Sequence, residues 1–374
     1  MGEKPLKRAG ELARKEIAKL VPYVAGKPIE EVKRELGLTD VIKLASNENP
    51  LGPSPKALQA IMAAARNGHI YPDANAYELK RAIAARYGVE PAQVIIGDGS
   101  DELVSLIGQT FINPGDEGIM PWPSFQTYPL PVDLMGGVAV KVPLVNGRVD
   151  LTAMAARVSE RTKLFFICNP NNPTGTMLTR REVEDVVRSL PDHVIVVFDE
   201  AYAEYVESPD YPDSLSFVRE GRNVIVLRTF SKAYGLAGLR VGYGIGPAEA
   251  IDLINRPRLA FNVNLLAQAA AVAALGDAEH IAASRRCNRE GKAFLYRELD
   301  RLGLGYYPSE ANFIFINVGL DSGEVFRRLL RRGVIVRPGD IFGCPGWQRV
   351  TIGTRPQNER FIAALAEVLA EMKG

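Results

Sequence analysis

Cysteine and histidine are scarce in this chain of 374 residues, which contains three of each. Cys168, Cys287 and Cys344 lie far apart and form no CxxC pair, so neither a disulfide framework nor a zinc site is predicted. Lysine and arginine (45) balance aspartate and glutamate (44), which predicts no surface for nucleic acid or anionic lipid. No apolar run approaches the roughly 20 residues of a membrane span, and the basic N-terminus lacks the apolar block of a signal peptide. We expect a cytoplasmic protein without a metal site.

Short apolar runs alternate with helical segments between residues 90 and 246. The predicted strands lie near 94–97, 117–121, 139–144, 163–168, 193–199, 223–229 and 241–245. Several of these runs are apolar at consecutive positions, which is typical of strands buried on both faces of a mostly parallel sheet. The fold class predicted is therefore α/β, with a seven-stranded sheet and helices on both of its faces.

The character of the sequence changes after the apolar stretch at 265–275. Charged helices and short strands follow, and they indicate a smaller α+β domain. The helices are predicted at 279–302, 322–332 and 356–373, and the strands at 313–318, 334–337 and 349–353. We predict an N-terminal arm over 1–40 with a short amphipathic helix at 6–20, a large domain over 41–265 and a small domain over 266–374.

Polar residues follow three of the predicted strands, those at 163–168, 193–199 and 223–229. In an open α/β sheet, ligands bind beyond the carboxyl ends of the strands, so these polar side chains are expected at one edge. They comprise an amide, a carboxylate, a phenol, two hydroxyls and an amine, on Asn172, Asp199, Tyr202, Thr229, Ser231 and Lys232.

This set of side chains fits the chemistry of pyridoxal 5'-phosphate (PLP), an electron sink that needs a protonated ring nitrogen, a Schiff-base amine and a bound phosphate. Lys232 can supply the amine, because a desolvated lysine near positive charge is held as the free base. Asp199 can keep the proton on the ring nitrogen, and Asn172 and Tyr202 can hydrogen-bond the phenolate oxygen. Phe125 is a candidate to stack on the ring, although a lone phenylalanine more often belongs to a core.

The segment GDGSDE at 97–102 follows a predicted strand and opens a predicted helix. The free N–H groups of a helix N-terminus bind anions, so this segment is a candidate phosphate site. Thr229 and Ser231 can add hydroxyls there, and Arg240 can add a cation that pairs bidentately with phosphate. The alternative is an ordinary helix cap formed by Ser100 or Asp101.

Three motifs resemble the signatures of fold-type-I PLP-dependent aminotransferases of classes I and II, in the same order and spacing. They are NPNNPTG (169–175), FDEAY (198–202) and SKAYGLAGLRVG (231–242). Three further runs are similar to those of histidinol-phosphate aminotransferases: PYVAGKPIEEVKRELGLTDVIKLASNENPLGPSP (22–55), YPDANAYELKRAIAARYGV (71–89) and GDGSDELV (97–104). The resemblance implies the fold-type-I PLP transferase fold. It also implies transfer of an amino group between histidinol phosphate, or imidazole-acetol phosphate, and 2-oxoglutarate or glutamate.

The resemblance also implies roles for individual positions. Lys232, Asp199 and Tyr202 would be catalytic, with Lys232 as the Schiff-base lysine. Tyr71 would reach the phosphate of the cofactor in a partner subunit, which implies a homodimer with shared active sites. The other positions implied to contact the cofactor are Gly99, Ser100, Asp101, Phe125, Asn172, Thr229, Ser231 and Arg240.

On the substrate side, the resemblance implies that Arg349 binds an α-carboxylate and that Arg337 helps to bind the phosphate of histidinol phosphate. For Arg337, an ion pair with Asp340 is the alternative. Tyr23 and Asn47 match positions near the substrate, where a structural role is an equal alternative.

The segment PWPSFQTYPLPVD departs from the family pattern. It is richer in proline, and Phe125 stands where these enzymes more often carry tyrosine or tryptophan. The surroundings of the substrate side chain are therefore expected to differ.

Four other functions are alternatives to this one. An aromatic amino-acid aminotransferase would use Arg349 alone, and a threonine-phosphate decarboxylase would remove CO2 rather than a proton from the substrate carbon. A PLP-binding transcription regulator is disfavoured, because only about 20 residues precede the 22–55 run and the chain is nearly neutral. A nicotinamide-dependent oxidoreductase is disfavoured, because GYGIG at 242–246 lacks the GxGxxG spacing before a helix.

Overall fold

The computed structural model describes residues 9–20 and 26–373. Tyr23, predicted to lie near the substrate, falls outside the described residues. The α-helices of the described residues are α1 (Ala9–Leu12), α2 (Ile29–Leu36), α3 (Pro55–Ala65), α4 (Tyr77–Tyr87), α5 (Ser100–Phe111), α6 (Pro129–Leu134), α7 (Leu151–Ala155), α8 (Arg180–Val187), α9 (Ser214–Arg219), α10 (Ala248–Asn255), α11 (Leu265–Leu275), α12 (Ala278–Arg301), α13 (Ser322–Arg331) and α14 (Arg355–Lys373). Within these ranges, no helix has both the length and the apolar character that crossing a membrane requires.

The strands in the same part of the chain are β1 (Ile42–Lys43), β2 (Val94–Gly97), β3 (Glu117–Trp122), β4 (Val138–Pro143), β5 (Thr162–Cys168), β6 (Ile195–Asp199), β7 (Val224–Thr229), β8 (Gly242–Ile245), β9 (Gly305–Tyr306), β10 (Phe313–Asn317), β11 (Val334–Ile335), β12 (Arg337–Pro338) and β13 (Trp347–Thr351). Short 3-10 turns cover Ile17–Lys19, Pro91–Gln93, Ala203–Tyr205, Ala237–Leu239 and Gly339–Phe342.

The amphipathic helix predicted over 6–20 is wrong as a single element. Among the described residues 9–20, a helix covers only Ala9–Leu12 and a 3-10 turn covers Ile17–Lys19, while positions 6–8 of the prediction fall outside the described residues. Leu12 is 68% exposed and Ile17 46% exposed, so their apolar side chains do not pack on the body of the chain. A short helix without such packing is marginally stable, which explains why it does not continue.

The central sheet has seven strands in the order β2-β8-β7-β6-β5-β3-β4. The five strands from β7 to β4 run parallel to one another. β8 is antiparallel to both of its neighbours, β7 and β2. The predicted seven-stranded, mostly parallel sheet is confirmed, and each of its strands lies within two residues of the predicted range.

Helices cover both faces of this sheet, as predicted. Alternate side chains of a strand point to opposite faces, and the structure sends Phe165 and Ile167 into one core and Leu164 and Phe166 into another. The first core is closed by α3, α4, α8, α9 and α11, and the second by α5, α6 and α10. Each of these fully buried side chains contributes about 1.5–3 kcal/mol of hydrophobic stabilisation, so the edge that carries the polar side chains is built on a rigid support.

A smaller unit follows, with an antiparallel sheet in the order β12-β13-β10-β9 packed against α12, α13 and α14. The single strand predicted at 334–337 is instead two short strands in different sheets. β11 pairs in parallel with β1, whereas β12 pairs with β13. The first pair joins the segment after α2 to the smaller unit.

The domain limits at 40/41 and 265/266 stay a prediction. β1 lies just beyond the first limit and pairs with β11 of the smaller unit. α11 lies just beyond the second limit and packs against α3 and α4, in the same core as the central sheet. These two elements therefore contact the unit on the other side of each predicted limit.

Candidate active site

The carboxyl ends of β5, β6 and β7 meet at one edge of the central sheet. In the register of these parallel strands, Cys168 lies opposite Asp199, and Asp199 lies opposite Leu227. The polar segments that follow the three strands therefore start side by side, as the sequence predicted. A cavity of about 270 Å³ lies over this edge and extends to the smaller unit.

Most of the predicted site residues line this cavity. They come from the segment after β1, the start of α5, the loop after β3, the ends of β5, β6 and β7, and from β12 and β13. The predicted residues in the lining are Asn47, Ser100, Asp101, Phe125, Asn172, Asp199, Tyr202, Thr229, Ser231, Lys232, Arg240, Arg337 and Arg349. Their roles stay predictions, but the fold brings them together.

Lys232 projects into the cavity from the loop after β7. Its Nζ donates a hydrogen bond to the backbone oxygen of Ser46 at 3.2 Å. Burial, and after it the positive charge of Arg349, lower the pKa of its amine from the ordinary value to about 8. The lysine is therefore far easier to deprotonate than an ordinary surface lysine.

Asp199 is a buried carboxylate with one oxygen bound and one oxygen without a partner. Its Oδ2 accepts a hydrogen bond from the hydroxyl of Tyr128 at 2.8 Å, and its Oδ1 has no hydrogen-bond partner among the described residues. Burial raises the pKa of Asp199 to about 6, and the bond from Tyr128 opposes that rise. A buried carboxylate with an unpaired oxygen is matched best by a cationic donor.

Asn172 and Tyr202 can each present a hydrogen-bond donor to the cavity, because the oxygen atom of each already accepts a hydrogen bond from another side chain. Arg349 Nη1 donates to Asn172 Oδ1 at 2.6 Å, and Asn47 Nδ2 donates to the Tyr202 hydroxyl oxygen at 3.0 Å. Both side chains line the cavity and both are buried. They suit a bound group that carries a negatively charged oxygen.

A candidate anion site lies where α5 meets Arg240. α5 begins at Ser100 after Gly99, and no side chain caps its N-terminus, so the alternative of an ordinary cap on Ser100 or Asp101 is wrong. Arg240 donates to the Ser231 hydroxyl at 3.3 Å and to the Ala237 carbonyl at 2.9 Å. Its guanidinium lies so close to Gly99 that a Cβ there would overlap with it. The helix N-terminus and a fixed cation therefore share one space.

Two arginines of the smaller unit lie side by side in the cavity wall. Arg337 on β12 is the register partner of Arg349 on β13, and both are buried. Arg349 also donates to the backbone oxygen of Ala45 at 2.7 Å. The carboxylate of Asp340, the alternative partner predicted for Arg337, accepts a hydrogen bond from the Ser322 hydroxyl. Two guanidinium groups at one end of the cavity make it strongly attractive to anions.

Two of the predicted residues in the described part of the chain lie apart from this lining. Gly99 is behind it, under Arg240. Tyr71 is 79% exposed and stacks on Phe261 with ring centroids 4.7 Å apart, outside the cavity of its own chain. Tyr23 lies outside the described residues.

Sequence reasoning missed several residues of the site. Tyr128 is fully buried, stacks on Phe166 with centroids 4.9 Å apart and binds Asp199. Gln126 lines the cavity and donates to the backbone oxygen of Ile341 in the smaller unit. A buried tyrosine needs a partner for its hydroxyl, so the one available signal was Tyr128 itself, three residues after Phe125.

Comparisons with known proteins agree with this geometry. The family model described as aminotransferase class I and II matches residues 39–365. A histidinol-phosphate aminotransferase of Moorella thermoacetica is 57% identical over 96% of this chain and 93% of its own. Histidinol-phosphate aminotransferase 2 of Carboxydothermus hydrogenoformans is 54% identical over 96% and 99%. The crystal structure of histidinol-phosphate aminotransferase from Sinorhizobium meliloti in complex with PLP has a TM-score of 0.87 and 30% identity, covering 96% of this chain and 97% of that one.

Proposed function

Because the chain belongs to the aminotransferase class I and II family, we propose that it moves an amino group between histidinol phosphate and 2-oxoglutarate, with PLP attached to Lys232. Two relatives that are more than half identical over nearly the whole chain carry the name histidinol-phosphate aminotransferase. The S. meliloti enzyme of similar fold binds PLP. The proposal extends these properties to this chain and gives it a role in histidine biosynthesis.

The buried polar atoms of the cavity fit PLP. The unpaired Oδ1 of Asp199 would accept a hydrogen bond from the protonated ring nitrogen, which also supplies the neutralising charge. Asn172 and Tyr202 would donate to the phenolate oxygen, and Arg240 with the start of α5 would bind the phosphate. When bound, PLP supplies an electron sink for the negative charge that develops on the substrate carbon.

Lys232 would be the attachment point and, once the substrate's amine had displaced it, the base that moves the proton at the substrate's Cα. With a pKa of about 8, about one amine in ten is uncharged at pH 7, against roughly one in three thousand for an ordinary lysine. The free amine can accept a proton, and its position in the cavity holds it close to any bound substrate. Burial of the site also excludes water from the reacting carbon.

The pair of arginines carries the choice of histidinol phosphate as the amino donor. Its phosphate is a dianion, and Arg337 and Arg349 present two buried positive charges at one end of the cavity. A single α-carboxylate, as in an aromatic amino acid, needs only one of them. We therefore propose that Arg337 binds the substrate phosphate and raises the preference for a phosphorylated donor.

The substrate choice is tested by measuring kcat/KM with histidinol phosphate, phenylalanine and threonine phosphate, each with 2-oxoglutarate. Histidinol phosphate should be the best donor. Arg337→Gln should lower its kcat/KM by about 10- to 100-fold, since a charged hydrogen bond is lost, and change the value for phenylalanine little. Arg331→Gln, on the exposed face of α13, is the matched control and should change neither. A preference for phenylalanine, or release of CO2 from threonine phosphate, would contradict the proposal.

We further propose that the enzyme is a homodimer in the cytoplasm, with active sites shared between subunits. Exposed apolar side chains gather on α3 and on the neighbouring segments 70–77 and 259–261: Met62, Ile70, Tyr71, Tyr77, Leu259 and Phe261. Apolar surface of this kind marks contacts between proteins. Tyr71 points away from its own cavity, as it must if it reaches the cofactor of a partner subunit. The proposed substrates are small charged metabolites, which supports a location in the cytoplasm.

A further inference from the structure

We propose that Thr351, acting through Asn47, sets the direction in which the hydroxyl of Tyr202 donates its hydrogen. The inference rests on the proposed function, in which that hydroxyl donates to the phenolate oxygen of PLP. Thr351 does not line the cavity. It would therefore be a positioning residue that controls, from outside the cavity, how readily the linkage between Lys232 and the cofactor takes up a proton.

The side chain of Asn47 lies between Thr351 and Tyr202. Asn47 Nδ2 donates to the Tyr202 hydroxyl oxygen at 3.0 Å, and the Thr351 hydroxyl donates to Asn47 Oδ1 at 3.2 Å. The backbone N–H of Asn47 donates to the same Thr351 hydroxyl oxygen at 2.9 Å. All three residues are at least 96% buried, so water does not compete for these hydrogen bonds.

The chemistry of these groups fixes the direction of the whole chain of hydrogen bonds. In the described part of the chain, both hydrogen bonds of the Thr351 hydroxyl are made with Asn47. Since its oxygen accepts from the backbone N–H, its hydrogen must go to Asn47 Oδ1. The NH2 group of Asn47 is then left facing Tyr202, and an NH2 group cannot accept. The hydrogen of Tyr202 must therefore point elsewhere, and Tyr202 lines the cavity.

The opposite orientation of the Asn47 amide would reverse this result. Oδ1 would then face Tyr202 and accept its hydrogen, so the cavity would lose a donor. That orientation leaves the buried hydrogen of Thr351 without an acceptor among the described residues, which costs free energy. Thr351 thus selects the orientation that serves the cavity.

The backbone around Asn47 holds this arrangement in place. Asn47 has a φ of +58°, which lies in the left-handed region. Apart from glycine, asparagine is one of the few residues that adopt this conformation readily. Its carbonyl accepts a hydrogen bond from Asn312 Nδ2 at 2.9 Å. The residue is therefore fixed through its N–H, its carbonyl and both ends of its amide.

One strand orients both donors that face the predicted phenolate position. Arg349 and Thr351 are two residues apart on β13, so their side chains lie on the same face. Arg349 binds the oxygen of Asn172 and leaves its amide nitrogen to the cavity. Thr351 binds the oxygen of Asn47, which leaves the hydroxyl of Tyr202 to the cavity. The smaller unit therefore controls two donors that belong to the central sheet.

A donor directed at the phenolate oxygen draws negative charge from it. This lowers the proton affinity of Lys232 Nζ, the nitrogen that would link the lysine to PLP. Without the Thr351 hydroxyl, the Asn47 amide is free to turn. The Tyr202 hydroxyl can then donate to Asn47 Oδ1 instead of to the phenolate oxygen. The pH at which the linkage loses its proton should then rise. This pH is visible as the midpoint of the colour change of the PLP-loaded protein.

The experiment is a spectrophotometric pH titration of PLP-loaded Thr351→Val, which keeps the shape of the side chain and removes its hydroxyl. Its midpoint should rise by about one pH unit, the size of a hydrogen bond to a charged group. Thr351→Ser should restore the wild-type midpoint. Thr176→Val is the matched control, because it removes a buried hydroxyl that donates to the Gly147 carbonyl at 2.7 Å, and it should leave the midpoint unchanged.

A second measurement separates an effect through Tyr202 from a general loosening of the fold. In a Tyr202→Phe background, Thr351→Val should produce no further shift. Thermal unfolding checks that each variant is folded, and Thr351→Ala serves in place of the valine variant if that one does not fold. An unchanged midpoint in Thr351→Val, with Lys232 still labelled by borohydride, overturns this inference alone. Absence of label on Lys232 in the wild type overturns the proposed function instead.

Discussion

At the scale of single residues, the site depends on two ionisable groups whose pKa values are shifted by the same cause. Burial raises the pKa of Asp199 to about 6 and lowers that of Lys232 to about 8, so each group is driven towards its uncharged form. The hydrogen bond from Tyr128 compensates Asp199 only in part, since Oδ1 has no partner in the described residues. The cavity without cofactor therefore carries an electrostatic cost that a cationic ring would relieve.

Asp199→Asn should stabilise the cofactor-free protein at pH 8 while it removes aminotransferase activity. The folded-state pKa of about 6 lies above the ordinary value of 3.8, so the folded protein binds this proton more tightly than the unfolded chain does. The ionised carboxylate therefore lowers stability above pH 6, and the loss is recovered as the pH falls from 6 towards 3.8. We expect the free energy of unfolding at pH 8, measured in urea, to rise by on the order of 3 kcal/mol.

The pH dependence of that gain is the control. Near pH 4 the advantage of Asp199→Asn over the wild type should largely vanish, because the wild-type carboxyl is then protonated in the folded state. Asp192→Asn removes an exposed carboxylate and should change little at either pH. A gain of equal size at pH 4 and pH 8 would show that the carboxylate charge is not its source.

Residues of the site could be predicted from the sequence where they directly follow a strand. They could not be predicted where tertiary packing brings them to the site. Asp199 and Lys232 follow apolar runs, so the rule for open sheets identified them from the sequence. Tyr128 lies in the proline-rich segment after β3, and its contact with Asp199 depends on tertiary packing, in which the ring stacks on Phe166. Asn47 was predicted near the substrate, and its hydrogen bonds to Thr351 and Tyr202 link positions more than 150 residues apart in sequence.

At the scale of elements, the anion site depends on the close approach of α5 and Arg240 across Gly99. Gly99 has a φ of +81°, and an added Cβ would occupy the space of the Arg240 guanidinium. A side chain at this position would push the cation away from the helix N-terminus. The phosphate site would then lose one of its two sources of positive potential.

Gly99→Ala should weaken the binding of PLP to the cofactor-free protein by about 10-fold or more, the size of one lost charge-assisted hydrogen bond. Fluorescence titration with PLP measures this. Gly88→Ala is the matched control, since Gly88 has a φ of +65° and no atom lies near its added Cβ. Gly88→Ala introduces the same kind of backbone strain, about 1 kcal/mol, without a steric contact. Its affinity for PLP should therefore match that of the wild type. Equal affinities for Gly99→Ala and the wild type would exclude this account of the phosphate site.

The helices and strands were predictable where the pattern of apolar residues in the sequence matches the burial of the element. The central strands carry apolar residues at consecutive positions, and both of their faces are buried, so pattern and structure agree. The pattern does not contain strand direction, and the antiparallel placement of β8 appears only in the fold. The run at 334–337 reads as one strand, yet β11 and β12 pair with different partners, which are distant in sequence. The helix predicted over 6–20 is wrong as a single element, and the exposure of Leu12 and Ile17 shows that its apolar face is only partly packed.

At the scale of the whole molecule, the predicted membership in the aminotransferase family is confirmed by the match of the family model over residues 39–365. The structure adds how two units share one site. The central sheet supplies Asp199, Tyr202 and Lys232, and the smaller unit supplies Arg337 and Arg349. Gln126 and Ile341 join the two units beside the cavity through a hydrogen bond.

The proposed homodimer should depend on the exposed apolar surface around Tyr71. Ile70 is 57% exposed and Leu259 74% exposed. The double variant Ile70→Asp with Leu259→Asp places a charge at both positions. It should convert the dimer to a monomer, because burial of an unpaired charge opposes association. Light scattering should show half the wild-type mass, and activity should fall with it if Tyr71 completes a neighbouring site.

The matched control for this pair is Val145→Asp, which charges a valine that is 55% exposed and follows β4. It should leave the wild-type mass unchanged. A wild-type protein that is monomeric and fully active at assay concentrations would contradict both the dimer and the sharing of active sites.

Covalent trapping with borohydride tests whether Lys232 holds the cofactor. The protein is incubated with PLP, reduced with borohydride, digested and analysed by mass spectrometry. We predict a visible colour before reduction and a single modified peptide, in which the mass of the reduced cofactor lies on Lys232. A protein that stays colourless, or one in which another lysine carries the label while Lys232 does not, would show that this cavity is not the site of the chemistry.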